Sequence, residues 1–91
     1  GHRGAMRRAA KRDASEAAIV EALRAVGATV VRTDWCDLTV GFRGRNFALE
    51  VKTGKGRLTR SQVDLLRTWA GHYDIVRTPD EALVAIGATH E

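Results

Sequence analysis

Cysteine is almost missing from this chain: Cys36 is its single thiol in 91 residues. One thiol forms no internal disulfide framework and no Cys-x-x-Cys metal site, so a reducing, cytoplasmic setting is expected. Long apolar runs are missing too. The longest are a few residues, far short of the roughly 20 that cross a bilayer, so no membrane partner is expected. No secretory signal, internal repeat, low-complexity segment or interdomain linker is visible. A chain this short builds one domain around one modest core.

What is present is positive charge, unevenly spread. Net charge is +4, from 15 basic against 11 acidic residues. Arg3, Arg7, Arg8, Lys11 and Arg12 crowd the N-terminus, and Arg43, Arg45, Lys52, Lys55, Arg57 and Arg60 follow in the middle. Between residues 43 and 60 the sole acid is Glu50. Basic clusters without acidic neighbours suit a polyanion, most simply nucleic acid. The opening Gly-His-Arg-Gly-Ala before Met6 resembles a vector remnant. Residues 1–12 are accordingly read as that remnant plus a basic arm, and 13–91 as the domain.

Residues 13–26 read as a helix, with Asp13 as N-cap, Glu16 three residues on, and Gly27 just past its end. Ile19, Val20, Leu23 and Val26 make its apolar stripe. Thr29 to Thr33 is a β-branched strand, and 37–42 with 45–52 form a hairpin. A glycine-punctuated loop at 53–57 leads to a helix from Thr59 to about Ala70, with Leu65, Leu66 and Trp69 as its stripe and Val63 alongside. Tyr73 to Arg77 is a fourth strand. Thr78-Pro79-Asp80-Glu81 opens a last short helix ending near Ile86. The order αβββαβα predicts an α/β domain with a mixed sheet flanked by helices.

The hairpin carries the chemistry. If Arg43-Gly44 is a two-residue turn, Val40 faces Phe47 and Leu38 faces Leu49, giving one apolar face. The same register sets Asp37 opposite Glu50, with Lys52 on that second face because strand side chains alternate. Opposed like charges are destabilising and need compensation. Mg²⁺ is a natural compensator, because it takes one or two carboxylates and completes its shell with water and phosphate oxygens. Lys52 beside it suits a role toward the attacking water or the charge developing on a phosphate. The plainer alternative makes Asp37 a strand cap and Glu50 and Lys52 solvated surface.

Two more polar residues continue apolar stripes. Glu16 precedes Ile19, Val20 and Leu23 by three, four and seven positions, and an acid turned toward the core needs a partner. Gln62 stands likewise before Leu65, Leu66 and Trp69. Both also fit capping boxes, and for Gln62 the two readings stay open.

This ordered set resembles the PD-(D/E)XK nuclease superfamily: Glu16 on a first helix, then Asp37, then Glu50-Val51-Lys52 closing a hairpin, then Gln62 on a second helix. Within it the compact VRR-NUC branch, similar to archaeal-type Holliday junction resolvases, matches best, over about Asp13 to Ile86. The resemblance implies a restriction-endonuclease-like core and a metal-dependent endonuclease acting on DNA, with branched substrates such as junctions or flaps. It implies Mg²⁺ or Mn²⁺ held by Asp37, Glu50 and the Val51 carbonyl, with Glu16 contributing ligation or binding the metal's waters. Lys52 acts on the attacking water and Gln62 supports the site. No small-molecule cofactor is implied, and the cytoplasm of a bacterial or phage-infected cell is the expected location. One departure is Cys36, where many relatives carry Pro or a small residue before the acid. Asp34 is the alternative acid, with the opposite strand parity.

A catalytically silent binding module and an RNA-directed nuclease are the alternatives, since phosphate contacts do not distinguish DNA from RNA. Lys55, Arg57 and Arg60, with Arg43 and Arg45, are the expected phosphate-backbone contacts. A homodimer is expected, because a core this small gains from a partner and related resolvases are similar in working as two-fold dimers. Trp35, Phe42, Trp69 and Tyr73 are the candidates for its apolar contact, with Trp69 favoured as core.

Overall fold

The computed structural model describes residues 15–89, so Asp13, read as the N-cap, and residues 1–12, read as a remnant and basic arm, lie outside the described residues. Residues 15–25 are the described part of helix α1. Strands β1 (Thr29–Arg32), β2 (Leu38–Phe42) and β3 (Arg45–Val51) follow, then α2 (Arg60–Thr68), β4 (Tyr73–Val76) and α3 (Pro79–Ala85). The strands form one sheet in sequence order. The pairs β1–β2 and β2–β3 are antiparallel, whereas β3–β4 is parallel. The sheet is therefore mixed and flanked by helices. A parallel neighbour cannot be reached by a tight turn, and residues 52–72 with α2 supply the crossover.

The hairpin register is the expected one: Leu38 pairs with Leu49, Val40 with Phe47 and Phe42 with Arg45. Its cause is the turn. Arg43 and Gly44 both have positive φ, 52° and 80°, the signature of a type I′ connection. Arg43 accepts this left-handed backbone while its guanidinium lies over the Phe42 ring, 4.7 Å from the centroid.

One sheet face carries the main core. Val30, Leu38, Val40, Phe42, Phe47, Leu49, Val51 and Val76 are closed over by Ile19, Val20 and Leu23 of α1 and by Ala82 and Ile86 at α3. Leu38, Val40, Leu49 and Val76 are among the largest fully buried side chains. Each such burial contributes roughly 1.5–3 kcal/mol. Leu38 and Leu49 are the residues next to Asp37 and Glu50, so the best-packed part of the core anchors the backbone of the candidate site. The second face is thinner, with Cys36, Ala48 and Tyr73 buried and Leu65 and Ile75 packed against them.

Four expectations change. Val26 is not core: the helix ends at residue 25, and Val26 in the following turn is 39% exposed. Helix α2 buries none of its residues. Its inward pair is Gln62 and Leu65, one turn apart, which leaves Val63 and Leu66 outside. Trp69 is the C-cap in extended conformation and swings out of the helix, so it is half-exposed and not core. Phe42 and Tyr73, in contrast, are buried, which removes them as surface contacts for a dimer.

Candidate active site

Strand alternation sends Ala48, Glu50 and Lys52 to the second sheet face. Glu50 lands inside: it is 4% exposed, and Glu16 is the other acid buried among the described residues. The Tyr73 hydroxyl donates a 2.9 Å hydrogen bond to Glu50 Oε2. This contact follows from topology, because the parallel β3–β4 register sets Tyr73 beside Ala48, two residues before Glu50 on the same face.

Asp37 sits at the entry of β2, and its Oδ2 accepts a 2.7 Å hydrogen bond from the Val51 backbone N–H. That bond ties the mouth of the hairpin together and fixes the carboxylate beside Glu50. Asp37 lies close enough for its negative charge to act on Glu50. Glu50 has its pKa raised above the ordinary carboxylate value of 4.5, first by burial and then by the negative charge of Asp37, against the opposing pull of the Tyr73 hydroxyl. Tyr73 is pushed well above the usual phenol range, by burial and by its bond to Glu50. The expected pairing of Asp37 with Glu50 is thus present, and it is electrostatically costly.

Asp37 also lines a cleft of about 290 Å³ with Val51, Lys52, Arg57, Thr59 and Gln62. Gln62 performs the capping role and lines the cleft at once. Its Oε1 accepts from the Thr59 N–H at 2.9 Å, while its own N–H donates to Thr59 Oγ1. Its Nε2 group is therefore the part it offers to a ligand. Lys52 is held through its backbone N–H to the Val76 carbonyl, and its aliphatic stem runs past Gly56.

Glu16 finds the partner that its inward position demands, and that partner is Arg32. The Nε–Oε2 distance is 2.9 Å, with the carboxylate nearly buried and the guanidinium half-exposed. Arg32 pairs with Leu38 in the sheet, so this ion pair lies at the same end as Asp37, over the core face. Among the described residues, no three His, Cys, Asp or Glu side chains are close enough to share a metal ion. The carboxylates that come together are Asp37 and Glu50.

The basic candidates separate by place. Arg57 lines the cleft, and Lys55 and Arg60 are exposed on the segment that borders it. Arg43 and Arg45 lie at the hairpin's turn, roughly 15 Å along the strands from the acids.

Sequence reading missed three residues: Arg32, Tyr73 as the Glu50 partner, and Arg77. Arg77 donates from both terminal nitrogens, Nη1 to the Gly54 carbonyl and Nη2 to the Gly56 carbonyl, each at 2.9 Å. It clamps the loop that forms one wall of the cleft. Nothing local marks Tyr73 or Arg77, because both contacts depend on β4 lying beside β3.

Comparison with known proteins finds no matching family model, no matching curated protein and no matching solved structure. No helix among the described residues is long and apolar enough to cross a membrane.

Proposed function

We propose that this chain is a metal-dependent endonuclease of the PD-(D/E)XK type, hydrolysing phosphodiester bonds in DNA, with branched DNA as the preferred substrate. The observation that carries the reading is the neighbouring carboxylates Asp37 and Glu50, held by the Val51 N–H and the Tyr73 hydroxyl, one of them buried and reluctant to ionise, beside a cleft that Asp37 shares with Lys52 and Arg57. The αβββαβα order around a mixed sheet supports the restriction-endonuclease-like core that the resemblance implies.

The donor set fits Mg²⁺ or Mn²⁺. Asp37 and Glu50 supply hard oxygens, the Val51 carbonyl follows directly in the chain, and such ions need no more than one or two carboxylates from the protein. When bound, the ion polarises the phosphoryl oxygen and acidifies a water for attack. The chain's own groups do the rest. Tyr73 holds Glu50 by one oxygen and favours its ionised form. Lys52 offsets charge on the phosphate, and the Gln62 Nε2 group donates to a phosphate oxygen. Glu16, fixed by Arg32, supports the same end of the sheet.

Glu50→Gln is the test. Glutamine keeps the size and removes the charge that holds the ion. Cleavage should fall by orders of magnitude, while binding to branched DNA, carried by Lys and Arg, persists. Metal-free stability separates this from a surface role. Glu50 binds its proton more tightly folded than unfolded, so its contribution to stability is present below pH 4.5 and is lost as pH rises through its elevated value. Glu50→Gln should therefore match or exceed the wild-type melting temperature at neutral pH in EDTA. Near-wild-type Mg²⁺-dependent cleavage by the purified variant would end the assignment.

A further inference from the structure

We propose that Trp35 and Trp69 form a stacking platform for an unpaired nucleobase of the strand being cut, adjacent to the scissile phosphate. The identity of that strand rests on the nuclease reading above.

Both indoles are 46% exposed. Their centroids are 4.9 Å apart and the rings are tilted by 36°. Two large aromatic rings held together at the surface are a costly arrangement unless something covers them. Beside them is a concavity of about 220 Å³, walled by the two indoles and rimmed by Thr39, Asn46 and His72. Aromatic walls with hydrogen-bonding groups at the edge are complementary to a nucleobase, which has two π-faces and a polar perimeter. None of the residues lining the concavity is acidic, so a polyanion is not repelled.

Position names the occupant. Trp35 precedes Asp37 by two residues, and its ring lies 6.4 Å from that of Tyr73. The Tyr73 hydroxyl is on Glu50. The platform is therefore one side chain away from the carboxylate pair, and a nucleotide whose phosphate enters the cleft brings its base to the indoles. In a duplex both faces of every base are covered by its neighbours, whereas an unpaired base offers a free face. The substrate class that fits is a strand with an unpaired nucleotide at the cut, such as a flap, end or loop, rather than an uninterrupted duplex.

The chain has 2 tryptophans, and both are in the platform, so its intrinsic fluorescence reads this patch alone. The full chain is titrated in EDTA with oligothymidylate and, separately, with a blunt duplex. Oligothymidylate should quench tryptophan emission saturably, while the duplex binds without quenching. Trp35→Ala should weaken oligothymidylate binding roughly tenfold and leave duplex binding unchanged, and Trp69→Ala should do the same independently. Equal quenching by both ligands, or by neither, overturns the platform. So does a patch that serves protein contact, seen as emission and mass that vary with protein concentration while both variants keep full single-strand affinity. Chelation keeps this result separate from catalysis. Saturable quenching by a chain that never cleaves leaves the platform standing, whereas Mg²⁺-dependent cleavage without quenching removes the platform alone.

Discussion

Glu50 shows how one buried carboxylate is kept usable. Burial and Asp37 raise its pKa, and the Tyr73 hydroxyl is the strongest influence in the other direction. Tyr73→Phe deletes that donor while keeping the ring against Trp35. The Glu50 pKa then rises further, so a reaction that needs ionised Glu50 should lose activity from the acid side. The acidic limb of the pH–rate profile should move to higher pH, with kcat depressed most on that limb and restored as pH rises above it. Losing a buried hydrogen bond should also cost about 1–3 kcal/mol of stability. A profile whose acidic limb stays in place would show that Tyr73 only packs. Glu16 offers an instructive contrast. Its inward position correctly demanded a partner, but the partner is a basic residue from β1, whose strand parity the sequence shows and whose proximity to α1 it does not.

At the scale of elements, the hairpin was legible and α2 was not. A two-residue turn followed by strict apolar alternation admits one register that buries Leu38, Val40, Phe47 and Leu49 together, and that register fixes where Asp37 and Glu50 meet. An amphipathic pattern says less about a helix. It shows that α2 has an apolar side, not that the sheet beneath it is broad enough to cover Val63, Leu66 and Trp69. The loop before α2 was legible only as a loop, since its order comes from Arg77 across the sheet. Arg77→Ala should release the carbonyls of Gly54 and Gly56 and loosen the wall of the cleft that carries Arg57. Tryptic cleavage after Lys55 and Arg57 should accelerate, and DNA cleavage should drop about tenfold with little change in melting temperature. Arg77→Lys should behave like alanine, because a single ammonium does not reproduce a fork reaching two carbonyls. Unchanged trypsin sensitivity in both variants would assign the loop's order to its own turns.

Over the whole molecule, charge is sorted by region. Asp74, Asp80 and Glu81 gather along a groove between β4 and α3. Residues 51–60 carry Lys52, Lys55, Arg57 and Arg60 and no acid. On the proposed nuclease reading, a phosphate backbone would meet attraction along the cleft and repulsion along the β4–α3 groove, orienting it across Asp37 and Lys52. Ionic pairing of this kind is independent of base sequence and exchanges for condensed counterions, so it governs the salt dependence of binding. On duplex DNA, each phosphate that is no longer neutralised reduces the slope of log K against log salt by about 0.9. Replacing Lys55 and Arg57 together with alanine should weaken binding to every sequence and flatten that slope by about one to two units. Trp35→Ala, acting on base stacking, should lower single-strand affinity at constant slope, which separates stacking from ionic pairing in one titration series. A double variant that keeps the wild-type slope would move the phosphate-binding surface to the N-terminal cluster of Arg7, Arg8, Lys11 and Arg12. The corresponding check is the same titration on a chain starting at Asp13.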